Sequence, residues 1–95
     1  MKTLDDCVVI EVGKEKLQVR RNEIEQGFVP IRILSRFLHT QDQYLARYLS
    51  RDREYPFLGE GLRVKCDDAG DYHSWSVFLE DIPELVKRYK SVKNE

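Results

Sequence analysis

Residues 30–50 read PIRILSRFLHTQDQYLARYLS, and the spacing within them decides how the rest of the chain is read. Pro30 suits a first helical turn, where its missing N–H has no partner to lose. Ile31, Leu34, Phe37 and Leu38 recur at helical spacing and predict one apolar stripe, with Arg32, Ser35, Arg36 and His39 on the other side. Thr40 followed by Gln43 matches a capping box, in which the two side chains satisfy free backbone donors. The box predicts a second helix from Gln41 to about Ser50, with Tyr44, Leu45, Tyr48 and Leu49 inward and Arg47 and Arg51 outward. Two short helices joined at a capping threonine have the form of a helix-turn-helix.

Hairpins flank this pair. Cys7–Val12 is β-branched, Gly13-Lys14-Glu15 forms a turn, and Leu17-Gln18-Val19 alternates apolar with polar. Asn22–Gly27 reads as a polar loop. Beyond the helices, Leu62, Val64 and Cys66 alternate with Arg63 and Lys65. A five-residue turn, Asp67–Asp71, follows, and Trp75, Val77 and Leu79 form the return strand. Asp81, Pro83 and Glu84 open a last helix as a second capping box, with Ile82, Leu85, Val86 and Tyr89 inward. The order is ββ-α-α-ββ-α. The fold class is therefore α+β: one domain over residues 1–95, with a small antiparallel sheet from two hairpins packed on three helices. Trp75, Phe37, Leu34, Leu45, Leu85 and Val86 are the expected core.

Composition narrows the function. Ninety-five residues suit one core. No apolar run is long enough to span a membrane and no leader is visible, which predicts an intracellular protein of the nucleus or cytoplasm. Cys7 and Cys66, each without a metal-ligand neighbour, predict buried, reduced thiols. His73-Ser74 are adjacent on a strand and point to opposite faces, so no catalytic constellation forms there. The Asp67–Asp71 turn is too short for a calcium loop. No enzyme activity, cofactor, metal or small-molecule substrate is expected.

The remaining signal is charge. Net charge is −1, yet residues 20–65 carry nine bases against six acids, while residues 66–95 carry four against seven. Arg32 and Arg36 lie one turn apart, as do Arg47 and Arg51, and Arg63 and Lys65 share one face of a strand. A helix pair with a basic hairpin is the arrangement of a winged helix on DNA.

The stretch from Leu17 to Tyr89 resembles the KilA-N/APSES DNA-binding domain, a winged-helix-like fold of viral and phage proteins and fungal transcription factors. Three segments carry the likeness. The first is Arg20-Arg21 with Gly27-Phe28-Val29 and the helix Ile31–Leu38. The second is Leu62–Cys66 with its turn. The third is Ser74-Trp75-Ser76-Val77 leading into Asp81–Tyr89. The resemblance implies a DNA-binding module of a transcriptional or chromatin regulator and adds Arg20 and Arg21 to the contacts expected from spacing, Arg32, Arg36, Arg47, Arg51, Arg63 and Lys65. Residues 7–19 and Val29–Leu38 also resemble Ski/Sno/Dac domains. Where the KilA-N/APSES pattern has Asn-Ala-Thr, this chain has Pro30-Ile31-Arg32, and three aspartates at the wing tip repel phosphate. The alternative expectation is therefore a protein- or peptide-interaction module of the same fold, marked by exposed aromatics such as Tyr55, Phe57, Tyr72 or Phe78.

Overall fold

Alternation of β-branched and polar residues builds the first hairpin. In the computed structural model, which describes residues 6–66 and 75–93, β1 (Cys7–Val12) pairs antiparallel with β2 (Glu15–Arg20). Ile10, Val12, Leu17 and Val19 are buried on one side, and Glu11, Lys16 and Gln18 face solvent on the other. Gly13 takes φ +63° at the first position of a two-residue loop, where a type II′ turn needs a left-handed residue.

The chain then makes a strand that the sequence reading did not place. Gln26 and Gly27 both have positive φ, +56° and +87°, and Glu25 and Phe28 exchange backbone hydrogen bonds of 3.0 and 2.9 Å across them. This tight turn, of type I′ form, launches β3 (Phe28–Pro30). Pro30 therefore ends a strand and flanks α1 (Ile31–Phe37) with extended backbone instead of occupying its first turn.

The capping box at Thr40 and Gln43 does not form. His39 adopts φ +59°, its N–H bonds to the Arg36 carbonyl at 3.2 Å, and the Thr40 N–H bonds to the Ser35 carbonyl at 2.9 Å. These two bonds make a Schellman closure, so Thr40 finishes α1 and does not start the next helix. Gln41 flanks α2 (Asp42–Leu49) without capping it; its side chain instead accepts from Gln43 Nε2 at 3.0 Å.

Two inward assignments also change. Tyr44 is 41% exposed, and Ala46 is buried on the inner face of α2. Ser35, expected outward, is 3% exposed; its hydroxyl donates to the Asp42 carboxylate and ties α1 to α2. A small polar side chain is tolerated between helices because its one donor is satisfied.

β4 (Val64–Cys66) and β5 (Trp75–Phe78) pair as expected, while the Asp67–Asp71 turn lies outside the described residues. The two hairpins do not share one sheet, however. The second edge of β5 is taken by β3, giving a three-stranded sheet in the order β3-β5-β4 beside the separate β1–β2 pair. α3 (Ile82–Lys93) packs on β1, and Ile82, Leu85, Val86 and Tyr89 are buried. Leu34, Leu45, Leu85 and Val86 are core residues, together with Ile31, Val29, Val77 and Ile82. Trp75 and Phe37 are only half-buried at its margin. Cys7 and Cys66 are not joined in a disulfide, and both are half-buried rather than buried. Among the described residues no helix is long and apolar enough to cross a membrane.

Candidate interaction surface

Strand alternation gives the three-stranded sheet two faces. Val29 and Val77 point into the core and are fully buried. Their neighbours Phe28, Pro30, Ser76, Phe78 and Lys65 therefore occupy the opposite face. Phe28 and Phe78 are direct cross-strand partners, with ring centroids 5.4 Å apart in edge-to-face contact. Such pairs contribute about 0.5–1.5 kcal/mol beyond their buried area.

Two cations lie over these rings. The Arg63 guanidinium is 4.0 Å from the centre of Phe78, and Lys65 Nζ is 4.7 Å from that of Phe28. Lys65 sits opposite Ser76, whose small side chain lets the lysine cross the central strand to reach β3. The turn behind this face admits only glycine at position 27. A Cβ there would come within 2.6 Å of the Phe78 ring, in addition to the cost of the left-handed backbone.

Arg63 is fixed from several sides. Its backbone N–H and Nε donate to Asp81 Oδ2 at 2.8 and 3.0 Å, and Nη2 reaches Asp81 Oδ1 at 3.3 Å and Glu80 Oε1 at 3.4 Å. The side-chain hydrogen bond from Arg63, followed by that from its backbone, holds the Asp81 carboxyl below its ordinary pKa. Asp81 thus serves as a clamp for Arg63, and Glu84 holds Arg88 Nε at 2.9 Å; the expected capping box is used otherwise. The carboxylates of Asp81 and Glu80 both pair with Arg63, and among the described residues of this face two cations stand against two carboxylates.

Of the eight expected nucleic-acid contacts, Arg32, Arg47, Arg51, Arg63 and Lys65 lie against carboxylates or rings of the protein itself. Arg32 is paired with Glu23 at 3.2 Å. Arg47 is half-buried, not outward; it donates from Nη1 to the Tyr55 hydroxyl at 3.2 Å and lies over that ring. Arg51 does not continue the helical spacing of Arg47. It lies past the end of α2 with φ +63° and covers Phe57, 4.4 Å from the ring centre. Arg20, Arg21 and Arg36 are exposed. Tyr55, Phe57 and Phe78, expected as exposed aromatics, are half-buried, each beneath one of these arginines; Tyr72 lies outside the described residues. The sequence reading treated cations and aromatics as markers of different partners, and the tertiary structure stacks them on each other. It also missed Phe28 and Asp81 as members of this surface. The glycine-aromatic pair at 27–28 was the available signal for the first, and no local signal exists for the second.

No protein-family model, curated protein or solved structure matches this chain.

Proposed function

We propose that this chain is a protein-interaction module that binds through the outward face of the β3-β5-β4 sheet. The observation that carries the reading is the Phe28–Phe78 pair beneath Lys65 and Arg63, compensated by Asp81 and Glu80. Aromatic residues and arginine concentrate in the energetic centres of protein interfaces. Side chains locked on strands lose little freedom when they dock. A phosphate backbone is bound through an excess of cations, and the described residues of this face carry no such excess. Duplex DNA is the second reading, favoured by the base excess of residues 20–65 and by the exposed Arg20 and Arg36.

Replacing Phe28, on the same face, with a photo-crosslinking phenylalanine derivative that keeps its ring tests the choice in the intact chain. The expected result is a discrete protein adduct that Lys65→Glu abolishes. Adducts with nucleic acid would transfer the face to the second reading, and no specific adduct would reject it as a binding surface.

A further inference from the structure

The inference rests on the interaction-module reading and concerns a second surface, built by the β1–β2 turn and α3. The β1–β2 turn and α3 enclose an open groove of about 710 Å³. Val12 and Val86 form its floor, and Pro83 continues it along the helix. Its walls carry Lys14, Lys87 and Lys90 against Glu15 and Glu84.

The ion pairs sort these charges. Lys90 Nζ holds Glu15 Oε1 at 2.7 Å, joining helix to hairpin, and Glu84 is held by Arg88 at 2.9 Å. Both carboxylates are thus engaged. Lys14 and Lys87 are exposed and make no ion pair among the described residues. The groove therefore presents an apolar floor with two uncompensated ammonium groups, one from the hairpin turn and one from α3. From Pro83 to Ser91 the helix rises about 12 Å, enough for some four residues of extended chain or two helical turns.

We infer that this groove takes a short segment of a partner protein in which apolar side chains alternate with carboxylates. The apolar side chains meet Val12, Pro83 and Val86, and the carboxylates meet Lys14 and Lys87. A basic segment would meet like charge on both walls, so the same two lysines select the sign of the partner.

The test uses the full chain and labelled peptides of alternating leucine with glutamate or leucine with lysine. Fluorescence anisotropy reads binding, and amide chemical shifts locate it. The glutamate peptide is expected to bind, to move resonances of the β1–β2 turn and α3, and to weaken as salt rises. The double variant Lys14→Glu/Lys87→Glu, checked for a native amide spectrum, should bind that peptide roughly tenfold more weakly, from two exposed pairs each reversed in sign. It should also gain affinity for the lysine peptide. Absence of saturable binding, indifference to the charge reversal, or shifts confined elsewhere would overturn the inference. Cross-linking at Phe28 reports on the sheet face independently, so either surface can fail without the other.

Discussion

At the scale of single residues, polar side chains expected in solvent tie elements together around the apolar core. Ser35 is the clearest case. Ser35→Ala removes the donor that joins α1 to the Asp42 carboxylate, and should lower stability by about 1–2 kcal/mol in urea unfolding. An exposed serine would lose nothing measurable. Arg63 and Asp81 make a pH-dependent contribution. Because the Asp81 carboxyl is held below its ordinary value in the folded state, its contribution is complete above the unfolded carboxylate pKa, near 4, and fades as pH falls further. Thermal unfolding between about pH 7 and 2 should therefore show Asp81→Asn least different from the parent at the acid end. A constant gap across that range would mean that the ion pair adds nothing. Neither pairing was legible in the sequence, since Arg63 and Asp81 meet only when β4 and β5 pair.

Elements show where local chemistry is decisive and where it misleads. Left-handed residues sit at Gly27 and His39, and the same conformational rule predicts opposite effects at the two sites. Gly27→Ala imposes a strained φ and drives a methyl into Phe78, which should cost about 1–3 kcal/mol and disturb the ring pair. His39→Gly relieves strain at the Schellman closure and should stabilise by about 0.5–1 kcal/mol, after the extra entropy of glycine in the unfolded chain. Denaturant midpoints measured together check both, and two changes of the same sign would contradict the backbone argument. The helix spacing of Ile31 and Leu34 was legible because period alone specifies a face. Thr40 was not, because a threonine between two helices reads equally as the end of one or the start of the next. β3 escaped notice because three residues ending in proline give no alternation to recognise.

For the molecule as a whole, the question is whether the arginines act together. Arg32, Arg47, Arg51 and Arg63 are each engaged with a carboxylate or ring of the protein itself. A duplex-DNA titration is therefore expected to give a log–log salt slope no steeper than about −2, two contacts at about −0.9 each. A slope of about −4, flattened by some two units in Arg20→Ala/Arg36→Ala, would establish the DNA reading over the one argued above. The sequence by itself determined the α+β class, the two hairpins, the three helices and most of the buried apolar positions. Those follow from local period and turn chemistry, which act over a few residues. Only the tertiary structure decided that β3 would claim the edge of β5 and separate the hairpins into two sheets. It alone laid cations from one segment on the rings and carboxylates of another. Such contacts join residues up to 75 positions apart, as in Glu15 and Lys90, and no local pattern encodes which charges will meet and neutralise one another.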